Sequence, residues 1–251
     1  MQLLKKDVEE FYAEHRGKAF FDNLVGFMSS GPVIALDLVG TGAIGAVRHM
    51  NGPTDSARAR SEAPNSLRAR FGKDGTVNAV HASDSPQSAA RELAFYFKAG
   101  RGNPTATMST NSTLCLIKPH AAADTGKIWQ TVVDAGYTVS AAQSFALDRV
   151  AAIEFLEVYK GVVPEYVAMA AEITSGRLVA LELSGNGGQA AFRKFAGPMD
   201  PEIARHLHPS SLRAMFGADK VKNAVHCTDL PDDGPLELEY FFSILVNSNL
   251  H

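Results

Sequence analysis

The chain has 251 residues, of which 45% are hydrophobic and 20% are charged, a composition typical of soluble globular proteins. Its net charge of −3 provides no basic field for nucleic acid, so nucleic-acid binding is not expected. No apolar run approaches the ~18 residues of a membrane span, and no apolar signal region follows Met1. We therefore expect a cytoplasmic protein without a membrane segment.

The two cysteines, Cys115 and Cys227, each lie in an apolar segment. Without a CxxC motif or a Cys/His ligand spacing, this placement favours two buried free thiols. His206 and His208 are close in sequence, but two histidines in a loop without further ligands are a poor metal signature. We therefore predict no metal ion held by the protein alone.

One segment of the chain recurs 145 positions later. The stretch PNSLRARFGKDGTVNAVH at 64–81 aligns without a gap with PSSLRAMFGADKVKNAVH at 209–226, and twelve of the eighteen pairs are identical. The same offset places Arg48 on Arg193. A repeat of this length at a fixed offset predicts two copies of one domain.

A polar segment separates the two repeats. It spans 98–110, KAGRGNPTATMST, and its Gly, Thr and Ser content predicts a linker. We expect a first domain over 1–97 and a second over 111–251. The offset would start the first domain before Met1, so we expect it to lack its opening strand and helix. A longer protein, or another chain, would fill that gap.

The second repeat shows the predicted elements most clearly. They are a strand at 113–118, a helix at 126–137, a strand at 138–147, helices at 150–159 and 165–173, a strand at 177–183, a helix at 187–197, a long proline-containing loop, the NAVH strand and a helix at 236–245. This order contains a split βαβ unit and predicts an α/β (α+β) fold, two ferredoxin-like domains with antiparallel four-stranded sheets. In that topology the first strand lies inside the sheet, beside the last.

Each repeat carries a set of side chains suited to phosphate chemistry: a histidine in NAVH, two arginines, an asparagine three residues before the histidine and a glutamate eleven after it. A neutral imidazole can attack phosphorus and hold the phosphoryl group, and arginines bind phosphate oxygens with forked hydrogen bonds. A carboxylate on the other ring nitrogen fixes the tautomer. Because phosphoryl transfer needs mainly positioning and charge neutralisation, the set points to that reaction.

These motifs resemble the nucleoside diphosphate kinase family over nearly all of both repeats. The motifs are SGPVIAL (30–36), RHMNGPTD (48–55), SLRARFG (66–72), NAVHASDSP (78–86), LIKPH (116–120), GPMDPE (197–202) and NAVHCTDLP (223–231). The tandem arrangement looks most like family members associated with cilia, where they line the lumen of axonemal doublet microtubules, and with centrosomal tubulin-nucleating complexes. The resemblance implies tubulin and other axonemal proteins as partners. It also implies a place in the ciliary or flagellar axoneme, the centrosome or the basal body.

The resemblance also implies a role for each site residue. His226 and His81 align with the histidine that becomes transiently phosphorylated. Glu237 and Glu92 align with the carboxylate that supports it. The nucleotide-binding matches are the arginines Arg48, Arg68, Arg193 and Arg213, the ribose- and phosphate-side Lys118, Asn78 and Asn223, the hydroxyl of Thr54, and the base-side aromatics Tyr12 and Phe20. Mg²⁺ would arrive with ATP or GTP, held by the nucleotide phosphates.

Each repeat departs from the family pattern at different places. In the second repeat Met199 replaces Thr54, and a thioether barely hydrogen-bonds. Glu157 and Glu165 stand at the ungapped positions of the two aromatics, where a carboxylate would repel a triphosphate. Tyr166, one residue later, offers an alternative ring for stacking. The first repeat lacks the strand that carries a lysine in the second.

Two functions remain open from the sequence. One is an enzyme that exchanges phosphoryl groups between nucleoside triphosphates and diphosphates through phosphohistidine, mostly on the second repeat, fully active in the cytoplasm or at the centrosome. The other is a structural module of the axonemal doublet that packs on tubulin and retains at most residual transfer activity. In either case we expect the two domains to form an intrachain pseudo-dimer.

Overall fold

The structure is a computed structural model that describes residues 1–97, 111–185 and 187–248. It divides the chain into two compact units, Met1–Asn103 (unit one) and Pro104–His251 (unit two). The predicted linker at 98–110 lies outside the described residues. Over the three described ranges, no helix combines the length and the apolar character that crossing a membrane requires.

The described part of unit one consists of helices and loops. The helices are α1 (Lys5–Phe11), a 3-10 turn (Ala13–His15), α2 (Phe21–Met28), α3 (Ala43–Asn51), α4 (Ser56–Glu62), α5 (Leu67–Phe71) and α6 (Pro86–Phe97). A small core holds α1 against α2, and its buried members are Leu3, Val8, Phe11, Tyr12 and Val25.

Unit two combines one sheet with helices on both faces. The strands are β1 (Thr113–Ile117), β2 (Thr138–Phe145), β3 (Leu178–Ser184) and β4 (Val225–Cys227). The helices are α7 (Thr125–Asp134), α8 (Arg149–Phe155), α9 (Tyr166–Ile173), α10 (Gly188–Ala196), α11 (Pro201–Leu207), α12 (Leu212–Phe216), α13 (Asp233–Glu239) and α14 (Leu245–Ser248), with 3-10 turns at Pro119–Asp124 and Glu157–Tyr159 and a π-helical turn at Tyr240–Ile244.

The sheet of unit two is antiparallel with the strand order β2-β3-β1-β4. The prediction that the first strand lies inside the sheet beside the last is therefore confirmed for this unit. Alternate residues of β1 enter different cores, because side chains alternate along a strand. Leu114 and Leu116 pack towards α8, α9 and α13, whereas Cys115 and Ile117 pack towards α7, α10 and α12.

The sheet predicted for the first repeat does not form within residues 1–97. Its segment 33–39 corresponds, at the repeat offset, to β3, yet Ile34 and Val39 are exposed and the segment is irregular. The NAVH segment of unit one is also outside any strand. In unit two the counterparts of both segments pair with β1. Among the described residues, segment 33–39 is paired only at Val33, which exchanges two backbone hydrogen bonds with Met1. Without the central strand, neither segment has the continuous backbone partner that would make it a strand.

Several local features of unit two also differ from the sequence prediction. The loop predicted after residue 197 contains α11 and α12, whose first turns are capped by the side chains of Asp200 and Ser211. These helices have seven and five residues, too few to show a helical period in the sequence. Cys115 and Cys227 are free and buried as predicted, and they are directly opposite each other on β1 and β4.

Candidate functional site

The two NAVH segments share a sharp backbone turn just before the histidine. Ala79 and Ala224 have φ angles of 70° and 68°, in the left-handed region that residues with a side chain rarely adopt. In unit two the N–H of Val225 donates to the C=O of Asn223 at 2.9 Å, which closes a strained γ-turn. NAVH was predicted as a strand throughout, but it is a strand only from Val225 onward. Strain maintained in both copies is typical of a functional site.

In each unit the NAVH histidine is hydrogen-bonded to the glutamate eleven residues later. Nε2 of His226 lies 2.9 Å from Oε1 of Glu237, and Nε2 of His81 lies 2.9 Å from Oε2 of Glu92. Thr228 donates its hydroxyl to the other oxygen of Glu237 at 2.7 Å. Because the carboxylate accepts from Nε2–H, the lone pair stays on Nδ1, the nitrogen available for attack on phosphorus.

The histidines differ in exposure. The His226 side chain is 9% exposed, whereas that of His81 is 41% exposed. Leu116 on β1 lies directly opposite His226 in the register, and the described part of unit one has no strand in that position. Exclusion of water protects a phosphorylated histidine from hydrolysis, so the geometry of unit two is the more complete.

The second arginine of each repeat supports the histidine strand. Arg213 donates from Nε and Nη2 to the C=O of Val225, at 3.2 and 3.1 Å, and from Nη1 to the C=O of Gly197 at 2.8 Å. Arg68 makes the same three bonds in unit one. Arg213 also donates from Nη2 to Sγ of Cys227 at 3.6 Å. Since a guanidinium has five N–H donors, at most one donor of Arg213 and two of Arg68 are left for a phosphate. The arginine therefore positions the strand whether or not it also binds a ligand.

Lys118 and Asn223 are polar side chains of unit two that are buried and only partly satisfied by the described residues. Lys118 is 4% exposed and donates from Nζ to the C=O of Val221 at 2.8 Å, and burial lowers the pKa of Lys118 to about 8. Asn223 donates to the C=O of Met199 and of Lys220, whereas its Oδ1 is buried and has no hydrogen-bond partner among the described residues. An ammonium with spare donors fits a phosphate oxygen, and an orphaned amide oxygen fits a hydroxyl such as that of ribose.

The replacement of Thr54 by Met199 leaves the backbone role of this position unchanged. Asn78 donates to the C=O of Thr54 at 3.3 Å, and Asn223 donates to that of Met199 at 3.0 Å. Across the described ranges, no three His, Cys, Asp or Glu side chains are grouped so that they could hold a metal ion.

The aromatic rings beside the histidines show that the ungapped alignment is shifted by one residue in this segment. Helix α1 ends at Phe11 and α8 ends at Phe155, and each ring meets its histidine edge-on, with centroids 5.4 and 5.0 Å apart. The offset here is 144, so the counterpart of Tyr12 is Leu156. The match of Tyr12 with Glu157 is therefore wrong. Unit two has one extra residue in the loop that follows α8, so the offset becomes 145 only after that loop.

The predicted base-side aromatics occupy different environments. Tyr12 is buried and lies edge-on to His81 at a centroid distance of 5.8 Å. Phe20 is exposed beside His15 at 5.6 Å. Tyr166, the alternative ring in unit two, packs against the core formed with α8 and α9. The described part of unit two thus places no free aromatic ring in the position that Phe20 has in unit one.

The first arginine of each repeat also differs between the units. Arg48 is exposed on α3. Arg193, on α10, forms an ion pair with Asp229. The other oxygen of Asp229 accepts a hydrogen bond of 2.6 Å from the hydroxyl of Tyr159, whose ring lies 6.5 Å from that of His226.

His120 supports the strained turn of the candidate site, a role that its sequence motif does not predict. Its Nε2 accepts from the N–H of Ala224 at 3.2 Å, and its Nδ1 lies 2.7 Å from Oε1 of the buried Glu172. The N–H of Lys118 donates to the C=O of Ala224 at 2.9 Å. Both the N–H and the C=O of the strained Ala224 are thus hydrogen-bonded. The motif LIKPH contained this histidine, but its partner lies 52 residues away on α9, so only the fold reveals the pair.

Comparison with known proteins agrees with the family resemblance of the sequence motifs. The family model described as nucleoside diphosphate kinase matches residues 1–101 and 111–245. The protein "Nucleoside diphosphate kinase homolog 7" of Rattus norvegicus is 49% identical over 251 residues, which cover 98% of this chain and 64% of that protein. The protein of the same description from Mus musculus is 48% identical, with the same coverage. The chain therefore spans 64% of the length of these relatives.

A solved structure provides an independent comparison. The crystal structure of the Aquifex aeolicus nucleoside diphosphate kinase superposes with a TM-score of 0.51 at 34% identity, covering 54% of this chain and 96% of that chain. Because the family model matches more than half of the chain, in both repeats, the chain belongs to the nucleoside diphosphate kinase family.

Proposed function

We propose that unit two transfers the terminal phosphoryl group of a nucleoside triphosphate to a nucleoside diphosphate through a phosphohistidine on His226. The observation that carries this proposal is the shielded His226–Glu237 pair, which leaves Nδ1 as the free nucleophile. Lys118 and the orphaned Oδ1 of Asn223 supply a cation and an acceptor in the same unit. Both are groups that a nucleotide would satisfy.

The chemistry follows from this arrangement. The Nδ1 lone pair of His226 forms a bond to the γ-phosphorus, the bond from phosphorus to the bridging oxygen breaks, and the diphosphate leaves with that electron pair. The imidazole becomes cationic, and Glu237 stabilises it by accepting from Nε2–H. A second nucleoside diphosphate then attacks with a β-phosphate oxygen, the N–P bond breaks, and neutral His226 returns. Mg²⁺ bound to the phosphates would neutralise their charge.

Labelling with γ-³²P ATP and Mg²⁺ tests this function on the full chain. We expect acid-labile, base-stable label on the wild type, and we expect most of it to be lost in His226→Ala. The matched variant His81→Ala should retain most of the label, because His81 lies in the less complete site. If the wild type takes up no acid-labile label, or if His226→Ala takes up as much as the wild type, the enzyme proposal fails.

We also propose, as a second function, that the chain acts as a module of the ciliary axoneme with tubulin or another axonemal protein as partner. Two features support it: the resemblance to tandem, cilium-associated members of the family, and the exposed apolar segment 33–39 of unit one. Ile34, Leu36 and Val39 are 89%, 67% and 85% exposed in that segment, and several exposed apolar side chains in one segment favour a protein-binding role.

Imaging of the tagged full chain in ciliated cells distinguishes the axonemal module from a free enzyme. Signal along the axoneme that resists detergent and salt extraction is expected for the structural module. Diffuse cytoplasmic signal, or signal confined to the centrosome, would instead favour a free enzyme. Polar substitutions at Ile34 and Val39 should release an axonemal signal, whereas a polar substitution at Val150, an exposed residue of unit two, should not.

A further inference from the structure

Arg193 is already occupied by an anion from its own chain. It forms an ion pair with Asp229, three residues after His226. Tyr159 holds the other carboxylate oxygen at 2.6 Å, and its ring lies near the His226 ring. A continuous set of contacts therefore runs from the nucleophile through Tyr159 and Asp229 to Arg193. A phosphate that approaches Arg193 must compete with this carboxylate.

Unit one provides an internal reference for this arrangement. The repeat offset places Asp84 opposite Asp229, but there the carboxylate is tied to its own loop by the hydroxyls of Ser85 and Ser88, which donate at 3.0 and 2.7 Å. Among the residues described in unit one, Arg48 has no ion-pair partner. The hydrogen bonds from Ser88 and Ser85 lower the pKa of Asp84, and the charge of the nearby Arg48 lowers it further. The aspartate is thus hydrogen-bonded within its own loop, and Arg48, which forms no ion pair with it, is left for a ligand.

The sequence difference that redirects the aspartate lies in its loop. Unit two has Leu230 where unit one has Ser85, and Asp233 where unit one has Ser88. Neither can donate a side-chain hydrogen bond to Asp229 as a serine would, since Leu230 is apolar and an ionised Asp233 is an acceptor only. Because its own loop offers no side-chain donor, the carboxylate of Asp229 is bound instead by Arg193 and Tyr159.

We propose that Asp229 is an internal competitor for phosphate, which occupies Arg193 and lowers the nucleotide affinity of unit two below that of a site with a free arginine. The inference rests on the proposed function, because it takes Arg193 as a phosphate-binding group of the His226 site. Asp229 thereby sets the affinity of unit two without touching the reacting atoms.

Titration calorimetry of the full chain with Mg-ADP tests the proposal. In Asp229→Asn the amide still accepts from Tyr159, but the negative charge opposite Arg193 is removed. We expect the dissociation constant of unit two to fall by about two- to fivefold, the range of a partly exposed ion pair. Tyr159→Phe should give a smaller change in the same direction. The gain should shrink at high ionic strength, because salt screens a pair that is 50% and 37% exposed.

Two controls assign the change to the proposed competition. Asp84→Asn, the matched substitution in unit one, should leave the affinity for Mg-ADP unchanged. Asp229→Asn combined with Arg193→Ala should lose the gain, since the freed arginine is then absent. Unchanged or weaker binding in Asp229→Asn overturns the proposal, as does a gain that survives removal of Arg193. If neither the wild type nor Asp229→Asn binds Mg-ADP, Asp229 is not what limits binding, and the proposal is also wrong.

The calorimetric result and the labelling result are separable. If Asp229→Asn binds Mg-ADP more tightly but His226 takes up no phosphoryl label, the transfer function fails and the competition stands. If His226 is labelled but the affinity of Asp229→Asn matches that of the wild type, the transfer function stands and the competition fails.

Discussion

The carboxylate behind His226 is expected to control how fast the histidine is phosphorylated. Glu237 accepts from Nε2–H at 2.9 Å, and this bond strengthens when the imidazole becomes cationic. A hydrogen bond to a charged group contributes about 1.5–3 kcal/mol, so Glu237→Gln should slow phosphohistidine formation by about 10- to 100-fold. Rapid-quench labelling with γ-³²P ATP measures this rate.

The matched variant for this measurement is Glu92→Gln in unit one. It should leave the rate at His226 unchanged, because Glu92 is bonded to His81. Mass spectrometry of peptides prepared at alkaline pH assigns the label to either histidine. Equal rates in Glu237→Gln and the wild type would show that the pair is only structural.

Lys118 should make the stability of the protein depend on pH in the alkaline range. Burial lowers its pKa to about 8 in the folded protein, whereas a lysine in the unfolded chain titrates near 10.4. Between these values the unfolded chain binds more protons than the folded one, so this contribution to the free energy of unfolding rises with pH. Below pH 8 the cost of burying the charge is fully present and constant.

The variant Lys118→Met isolates this contribution. Tyrosines and cysteines also titrate at alkaline pH, but they do so in both proteins and cancel in the difference. Relative to the variant, the wild type should gain up to about 3 kcal/mol of unfolding free energy from pH 8 to pH 10.4, as measured by urea unfolding. A difference that does not change with pH would show that Lys118 titrates as an exposed lysine.

At the scale of elements, the end of α10 depends on a glycine. Gly197 has φ of 88°, and a Cβ there would lie 2.7 Å from Cβ of Ser211, the cap of α12. Its carbonyl also accepts from Arg213. Gly197→Ala should therefore destabilise unit two by about 1–3 kcal/mol in chemical unfolding.

Gly126, near the start of α7, is the matched control for that substitution. A Cβ at Gly126 would meet nothing within 4 Å, and its φ is not positive. Gly126→Ala should therefore stabilise the protein slightly, by about 0.5 kcal/mol, because alanine loses less entropy in a helix. If both substitutions have the same effect, the close approach of Gly197 to Ser211 is not important.

The elements that the sequence predicts well are those in which one pattern repeats within the element. The apolar run at 113–118 and the helical period at 126–137 match β1 and α7. Helices α11 and α12 were missed because two turns or fewer show no period, although Asp200-Pro201 and Ser211 were readable caps. The sheet of unit one was wrong for a different reason. The repeat offset already indicated that its opening strand is missing, but the order of elements does not show that the remaining strands need that partner in order to form.

The candidate site was predictable only in part. The His226–Glu237 pair follows from a repeated spacing and from the family resemblance, and its geometry matches the expectation. The left-handed Ala224 was not predictable, because alanine carries no sign of a positive φ. The contacts of His120 with Glu172, and of Asp229 with Arg193, join residues far apart in sequence. Such pairs become visible only once the chain has folded.

At the scale of the whole molecule, the two units bury very different cores. In unit two both faces of the sheet are covered, and two clusters of fourteen and fifteen buried residues flank it. The corresponding cluster in the described part of unit one has five members. Because hydrophobic stabilisation grows with the apolar area buried, unit two should supply most of the free energy of unfolding.

Hydrogen exchange of the full chain at neutral pH tests this difference. The backbone amides of β1 and β3 lie in the middle of a four-stranded sheet, so they should exchange only through global unfolding of unit two. The amides of α1 and α6 should open locally and exchange faster, by about two orders of magnitude or more. These helices are a stringent comparison, because Val8 and Phe11 of α1 and Glu92 of α6 are buried. Equal protection in β1 and α1 would mean that the two units unfold as one cooperative body, so that the small core of unit one is stabilised by interactions beyond its own.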